Sequence, residues 1–428
     1  MRTVKVGLIG LGIVGTGVVE ILRRHAEEFR RHAGVDIEIV RFCDRDTSRA
    51  GALGIDQALF TDDYTAVLHD PAVDIVVELI GGTGIARTVV LEALNAGKSV
   101  VTANKALLAN FGEEVMDAAY SNGVDIMFEA SVGGGIPIIS PLKHVLVSNE
   151  IATVMGIVNG TTNYVLSRMA EDGLDYGTAL SEAQAKGFAE ADPTADVDGL
   201  DAAAKIAILA SIAFNTRVAM PQVPAEGIRG VTPVDIDYAR EIGYAVKLLA
   251  IARRVGGSID IRVHPTLIRE SHPLASVDGV YNAIYVVGDS VGETMFLGEG
   301  AGSLPAASAV MGDVIEVARH IQSGCLAMIG CTCTDSLRVR DIAELETSYY
   351  IRLRVLDAPG VLAATSAVFA EHGVSLASVI QKAAESDEAE LVYVTHRAGE
   401  AAVRASLDEI GDLASVHEVG TVLRVEEL

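Results

Sequence analysis

Short apolar runs alternate with stretches of helical periodicity through the first third of the chain. The runs that have the length of buried strands are 4–9, 37–43, 75–79 and 99–101. Helical periodicity follows the first run to about Arg24 and occupies Thr88–Ala96. Alternating strands and helices are typical of a parallel sheet with helices on both faces. The pattern therefore predicts an α/β fold that begins with a doubly wound, Rossmann-type domain.

A stretch in the middle of the chain, Gly199–Phe214, has the pattern of a helix that is apolar nearly all round. After Asp201 and Lys205 it carries no charge until Arg217. Such a helix is buried, and its two charges at i and i+4 share one face. A buried ammonium beside carboxylates holds a proton ready for a substrate oxygen. Equally, Asp201 can stabilise the helix dipole and Lys205 can be a structural ion pair, and the stretch alone leaves both interpretations open.

The rest of the chain predicts two further sheets. β-Branched runs between Ser258 and Gly300 indicate an open sheet, with outward apolar surface for a dimer, and Pro305–Arg319 predicts a helix that packs back on the first domain. From Tyr349 the order βαββαβ is the ferredoxin-like split motif. We predict four segments, namely an NAD(P)-binding domain at 1–130 completed by 301–330, an α+β catalytic and dimerisation domain at 131–300, a linker at 331–348 and a regulatory domain at 349–428.

Charge, cysteine content and the length of apolar runs limit the classes of partner that the protein can bind. The net charge of −25 over 428 residues argues against nucleic acid or anionic membranes as partners. The four cysteines are too few and too clustered for a disulfide framework and show no zinc spacing, so we expect ordinary reduced thiols. The chain enters a strand pattern at once and has no apolar run of bilayer length, which predicts a cytoplasmic protein without a membrane partner.

A glycine-rich turn joins the first strand to the first helix. Its residues are Gly10, Leu11, Gly12, Ile13, Val14 and Gly15, which match G-x-G-x-x-G. Between a strand and a helix, this motif lets the backbone approach a pyrophosphate at the helix N-terminus. The second strand ends in Asp44-Arg45. An acid there suits the ribose of NAD, and Arg45 suits the 2′-phosphate of NADP. We favour NADP and leave NAD open.

Two further loops carry candidate chemistry. Lys105 follows the strand at 99–101, and residues at the carboxyl end of such a strand face the ligand. A solvated loop lysine is the alternative. Glu129–Pro137 contains three successive glycines, and Glu129 with carbonyl oxygens of residues 132–136 would make an all-oxygen cation site. A plain hinge between domains fits that loop equally well. The polar turn Asn159–Tyr164 can line a site or cap a helix.

These motifs together resemble the homoserine dehydrogenase family. The resemblance rests on the glycine turn, Thr102–Lys105, Glu129–Pro137, Asn159–Tyr164, Gly298–Gly302 and the signature Ala183, Gly187, Asp192-Pro193, Asp196, Gly199, Asp201 and Lys205. It covers the whole chain and implies NAD(P)-dependent interconversion of L-aspartate 4-semialdehyde and L-homoserine, in the biosynthesis of threonine, methionine and isoleucine. Ala306 departs from the family, which usually has Thr after the proline, and this puts one contact near the cofactor in doubt.

The resemblance also implies roles for individual residues. Lys205 takes the role of the acid-base lysine and Lys105 that of the second active-site lysine. Asp201, Glu190 and Gly187 fall on substrate-binding positions, and Gly302 on a cofactor contact. A monovalent cation, usually sodium, would be bound at Glu129, Val132, Gly134 and Ile136.

The C-terminal turn Leu356–Leu362 resembles that of an ACT domain. That family binds amino acids where two copies pair, which implies regulation, most plausibly by L-threonine, in a homodimer or homotetramer. The turn at Asp357–Gly360 lies at the N-terminus of a helix, where backbone N–H groups can bind the carboxylate of a ligand. A module that only dimerises is the alternative.

Two other functions predict features that this sequence does not have. A semialdehyde dehydrogenase that forms an acyl-enzyme needs a nucleophilic cysteine in the catalytic region, and no cysteine lies between residues 44 and 324. An amino-acid-sensing binding protein with a vestigial nucleotide domain would lack Lys205 or the glycine turn, and both are intact.

Overall fold

The computed structural model describes residues 2–327, 330–383 and 387–427. Its strands are β1 Thr3–Ile9, β2 Asp36–Cys43, β3 Phe60–Thr61, β4 Ile75–Glu78, β5 Ser99–Thr102, β6 Ile126–Met127, β7 Ile151–Ile157, β8 Tyr244–Val255, β9 Ser258–Arg269, β10 Tyr281–Gly288, β11 Gly292–Glu299, β12 Arg338–Val339, β13 Glu346–Leu356, β14 Leu376–Ala383, β15 Glu388–Thr395, β16 Ala398–Gly399 and β17 Val416–Glu426.

The helices alternate with these strands in the first third and cluster in the middle. They are α1 Ile13–Glu28, α2 Ser48–Ala52, α3 Tyr64–Leu68, α4 Ile85–Asn95, α5 Lys105–Asn122, α6 Gly160–Asp172, α7 Tyr176–Ala185, α8 Thr194–Val197, α9 Leu200–Ala213, α10 Pro233–Glu241, α11 Ser303–Ser323, α12 Val361–Glu371 and α13 Glu400–Gly411. Among the helices that the structure describes, none is long and apolar enough to cross a membrane.

The chain forms two compact units. Unit 1 comprises the described residues of Met1–Val154, Ala204–Gln222 and Asn282–Leu337, and unit 2 those of Met155–Ala203, Val223–Tyr281 and Arg338–Leu428. This division follows spatial contacts and cuts the chain differently from the four predicted segments, whose boundaries stay a prediction.

Unit 1 is built on a parallel sheet of order β3-β2-β1-β4-β5-β6. One face is covered by α1 and α11, whose Val18, Val310 and Val314 are buried against it. The other face is covered by α4 and α5. Because both faces are covered, the central strands are mainly apolar, as the sequence pattern predicted. The predicted doubly wound sheet and the packing of the 305–319 helix on it are confirmed.

Unit 2 contains the βαββαβ module. Its strands lie in the order β17-β13-β15-β14 with every neighbouring pair antiparallel, and α12 and α13 cover one face. The edge strand β17 also pairs in parallel with β9, with Arg424 opposite Thr266. The module is therefore continuous with the β8–β9 hairpin rather than tethered by a linker alone.

A buried arginine fastens this module within unit 2. The guanidinium of Arg424 donates to both carboxylate oxygens of Glu226 at 2.7 and 2.9 Å and to both of Glu400 at 2.7 and 2.8 Å. Burial opposes the charge of Arg424, but the two carboxylates more than offset it and raise its pKa. Removing the arginine would leave Glu400, which is buried, without its main counter-charge.

Arg424→Met is therefore expected to lower the free energy of unfolding by about 3–5 kcal/mol, because an uncompensated charge stays buried. Arg354→Met is the matched control in the same sheet. Arg354 is half-exposed and pairs with Glu418 at 3.0 Å, so its loss should cost about 0–1 kcal/mol. Urea unfolding of both variants measures the difference, and equal losses would contradict this role of Arg424.

Candidate active site

The glycine turn at 10–15 is closed by backbone packing. Gly10 has a φ of +102°, and a Cβ there would lie 2.7 Å from the carbonyl oxygen of Leu79. A Cβ at Gly15 would lie 2.1 Å from the carbonyl oxygen of Gly10. Gly12 differs, because a Cβ there would meet only a guanidinium nitrogen of Arg49, at 3.6 Å. Gly10 and Gly15 thus serve the turn itself, and the space above Gly12 is open for a ligand.

The end of β2 supplies charge to the same place. The backbone N–H of Leu11 donates to the Asp44 carboxylate at 2.6 Å, which fixes the glycine turn. Arg45 is exposed, and Arg49 approaches Asp44 at 3.5 Å and Asp46 at 3.1 Å. Both arginines line a cavity of about 290 Å³ that includes Gly10 and Gly12. This cavity beside the glycine turn, here called the nucleotide cradle, suits a dinucleotide.

Arg49 was missed by the sequence analysis. It lies four residues after Arg45, near the start of the short helix α2. A second arginine at that spacing is the signal that would have revealed it.

Lys105 is the first residue of α5, and a chain of buried polar groups holds it there. Asn104 caps α5 by accepting from the N–H of Leu107 at 3.0 Å. The N–H of Asn104 in turn donates to the hydroxyl of Thr102, which donates to the buried Glu78 at 2.6 Å. Glu78 was also missed, although a carboxylate at the end of a wholly apolar strand is itself a signal.

Asp201 and Lys205 lie one turn apart on α9, as predicted, and both are buried. Asn159 fixes the carboxylate of Asp201 by donating to it at 2.9 Å, and its amide also donates to Asp196 at 2.7 Å. The side-chain oxygen of Asn159 accepts the N–H of Thr162 and so caps α6. Asn159 therefore caps α6, as one interpretation of this turn predicted, and it also orients the carboxylate of Asp201.

The loop with Gly187 and Glu190 is pinned to its neighbours in unit 2. Thr161 donates to the carbonyl oxygen of Phe188 at 2.6 Å, and Gln184 donates to that of Glu190 at 3.0 Å. Gly187 has a φ of +76°, which favours glycine. The Glu190 side chain is exposed. The backbone is therefore fixed while this carboxylate faces solvent.

Backbone hydrogen bonds fix the Glu129 loop more closely than a plain hinge requires. The buried Glu129 carboxylate accepts the N–H groups of Ile138, Ile139 and Ser140 at 2.5, 2.7 and 2.7 Å. Burial raises the pKa of Glu129, although these bonds oppose the shift. A Cβ at Gly134 would lie 2.5 Å from the carbonyl carbon and oxygen of Gly300.

The Glu129 side chain is thus largely occupied by three backbone N–H groups. A cation at this loop would depend on main-chain carbonyl oxygens, including those of Val132 and Ile136. Among the described residues, no group of three or more His, Cys, Asp or Glu side chains could hold a metal ion.

Two glycines with positive φ angles directly precede the helices α11 and α12. Gly302, with a φ of +124°, precedes α11, and the Ser303 hydroxyl donates to the carbonyl oxygen of Ile13 at 2.7 Å. Gly360, with a φ of +95°, precedes α12. In the adjoining turn, Gln381 donates to the Asp357 carboxylate at 3.1 Å. Gln381 lies on β14, so local sequence gave no sign of this contact.

A cradle for a dinucleotide and a buried ammonium one turn from a fixed carboxylate serve one kind of chemistry. They suit transfer of a hydride and a proton between a nucleotide and a carbonyl group. The architecture is that of a nicotinamide-dependent dehydrogenase with an appended ferredoxin-like module.

Comparisons with known proteins identify the family. A homoserine dehydrogenase model matches residues 137–315, a model of the homoserine dehydrogenase NAD binding domain matches 10–129, and an ACT domain model matches 349–414. A homoserine dehydrogenase of Synechocystis sp. is 46% identical over an alignment of 432 positions that covers 99% of each chain. The chain belongs to the homoserine dehydrogenase family.

Solved structures agree. The crystal structure of a homoserine dehydrogenase from Thiobacillus denitrificans is 42% identical with a TM-score of 0.95, covering 100% of this chain and 99% of that one. A hyperthermophilic archaeal homoserine dehydrogenase in complex with NADPH is 28% identical with a TM-score of 0.64, covering 74% of this chain and 98% of that one. The protein is an oxidoreductase of amino-acid biosynthesis that acts on a CH–OH group, with an NAD(P)-binding domain and an ACT domain.

Gly12→Ala is expected to weaken nucleotide binding without unfolding the protein. Its φ of −67° suits alanine, and the added methyl group has room in the protein but enters the space left for the nucleotide. We expect the Kd for NADPH to rise at least about tenfold, about 1.4 kcal/mol, with an unchanged melting temperature. Gly51→Ala, where a Cβ meets nothing within 4 Å, is the control. Equal NADPH titrations for both variants would show that the nucleotide lies elsewhere.

Proposed function

We propose that this homoserine dehydrogenase uses NADP in preference to NAD. The proposal is supported by Arg45 and Arg49, two guanidinium groups on one cavity beside the glycine turn. Guanidinium groups match the geometry of a phosphate, and an Arg at the end of the second strand accommodates a 2′-phosphate. The archaeal relative in complex with NADPH is consistent with this choice. Asp44, whose carboxylate already accepts the N–H of Leu11, is less available to bind a ribose.

In this proposal Lys205 donates the proton to the carbonyl oxygen of L-aspartate 4-semialdehyde and receives it back from L-homoserine. The bound nucleotide supplies or accepts the hydride. Negative charge develops on the substrate oxygen, and an ammonium in a site of low dielectric both stabilises that charge and supplies the proton. The supporting observation is that Lys205 is buried on a helix that is otherwise apolar, one turn from Asp201.

The remaining site residues bind and orient in this proposal. Asp201, fixed by Asn159, binds the hydroxyl end of homoserine, and the exposed carboxylate of Glu190 binds the amino end, with Gly187 shaping that loop. Lys105 contacts substrate and nucleotide from the start of α5, and Gly302 contacts the nucleotide from the start of α11. A monovalent cation with a structural role, usually sodium in this family, is held by carbonyl oxygens of Glu129, Val132, Gly134 and Ile136.

We also propose a regulated oligomer in the cytoplasm. Met295 and Leu297 expose apolar side chains on β11, which supports pairing of two copies in a homodimer or homotetramer. L-Threonine is the proposed effector, with its carboxylate at the backbone amides after Gly360 and with Asp357 beside it.

The cofactor proposal is tested by homoserine oxidation followed at 340 nm with NADP and with NAD. We expect a higher kcat/KM with NADP. Arg45→Ala should raise the KM for NADP about 10- to 100-fold, the loss of one charged hydrogen bond of about 1.5–3 kcal/mol, and leave that for NAD unchanged. Arg49→Ala shows whether the second arginine shares the phosphate. If Arg45→Ala affects both nucleotides equally, the arginine does not bind the 2′-phosphate.

The effector proposal is tested by the same assay with L-threonine. We expect inhibition of the parent protein and its loss in Asp357→Ala, with uninhibited kcat preserved. A point substitution is preferable to deleting residues 349–428, because the deletion would remove the strand that pairs with β9. Glu418→Ala, an exposed change in the same sheet, is the control. Inhibition that survives Asp357→Ala would place the effector elsewhere.

A further inference from the structure

A cavity of about 180 Å³ lies in unit 1 beside the C-terminal end of α9. Residues 330–335, which follow α11 in the chain, run along that end. Thr216 donates to the carbonyl oxygen of Asp335 at 3.0 Å, and the thiol of Cys333 lies 3.6 Å from the carbonyl oxygen of Ser211. The cavity is therefore closed on one side by a segment that carries Cys331 and Cys333.

Two cations line the same cavity. The guanidinium of Arg217 lies 3.9 Å from the sulfur of Cys331 and also pairs with Glu113. The ammonium of Lys143 lies 5.6 Å from the centre of the Phe128 ring, and both residues line the cavity. The Arg217 guanidinium favours the thiolate of Cys331, and thiolate is the reactive form of cysteine, whereas burial lowers the pKa of Lys143.

Cys331 and Cys333 are separated by one residue and line the same cavity. A hydrogen bond from Cys333 and the neighbouring Arg217 guanidinium lower the pKa of Cys331 to about 5 although burial opposes the shift. The same bond and burial raise the pKa of Cys333, which stays a thiol. The other cysteines are different, since burial raises the pKa of Cys43 to about 11 and Cys325 is exposed on the surface.

We propose that Cys331 and Cys333 form a redox-active dithiol, in which Cys331 is the attacking thiolate and Cys333 the resolving thiol. Cys331 attacks a low-molecular-weight disulfide, forming a mixed disulfide and releasing one thiolate. Cys333 then loses its proton and attacks the sulfur of Cys331, forming the Cys331–Cys333 disulfide and releasing the second thiolate. Two protein thiols are oxidised, and one external disulfide is reduced to two thiols.

A metal site is the competing interpretation of two neighbouring thiols, and the described residues do not favour it. They include no third His, Cys, Asp or Glu side chain grouped with the pair, and the groups that face the cavity with charge are mainly cationic. The expectation of ordinary thiols is thus refined, since the two are free in the structure but unequal.

The full-length reduced protein is first treated with iodoacetamide at pH 6, and each cysteine is followed by mass spectrometry with fragment ions that separate positions 325, 331 and 333. We expect Cys331 to react about tenfold faster than Cys325, because its greater thiolate fraction outweighs its lower nucleophilicity. Arg217→Met should slow Cys331 and leave Cys325 unchanged, while Arg217→Lys should restore part of the rate.

Oxidised glutathione is the second probe. In the parent protein, the peptide that contains Cys331 and Cys333 should lose the mass of two hydrogens, as a disulfide forms, and should retain no glutathione. Dithiothreitol should reverse this change. Cys333→Ser should instead retain one glutathione on Cys331. Cys331→Ser should neither form the disulfide nor retain glutathione at position 333. Circular dichroism and basal turnover establish that the variants are folded. The proposal is overturned if Cys331 reacts no faster than Cys325, or if the parent protein retains glutathione as Cys333→Ser does.

Discussion

The burial of one ammonium and one carboxylate on α9 is the constraint on which the site depends. Removing such charges from water costs several kcal/mol per ion unless partners are fixed around them. Asn159 supplies one such partner for Asp201 and is itself held by capping α6. Asp196 shares that amide, so one side chain orders two carboxylates. The polar turn before α6 is therefore part of the support for the charged face of α9.

Around the nucleotide cradle, too, buried contacts fix the residues that face the ligand. Gly10 and Gly15 are required by contacts within the protein, whereas Gly12 leaves open space. Glu78 and Thr102 lie beneath the first turn of α5 and hold Asn104, so that Lys105 begins a helix whose start is fixed. In unit 2, the pairing of β17 with β9 and the bonds of Arg424 to Glu226 and Glu400 join the ACT module to the rest of that unit. A ligand that alters the module thus acts on a unit that also holds Asp201 and Glu190.

The elements with strong local patterns were predictable from sequence. The glycine turn follows from its motif, α9 from an apolar run, and the βαββαβ order from successive strand and helix patterns, and the structure confirms all three. What was missed depends on contacts between distant residues. Glu78 meets Thr102, Gln381 meets Asp357, and β17 meets β9 across spacings that no local pattern encodes. For Glu129 the sequence indicated oxygen ligands, but it could not show that three backbone N–H groups already occupy the carboxylate.

The most direct test of the account is the effect of Lys205→Met on turnover and on nucleotide binding, measured separately. Methionine keeps the apolar stem of the side chain and removes the ammonium. If Lys205 supplies the proton, kcat for reduction of L-aspartate 4-semialdehyde falls by at least about 100-fold, the usual contribution of a general acid, while the Kd for NADPH is unchanged. A kcat close to that of the parent protein would contradict the account and return Lys205 to a structural ion pair.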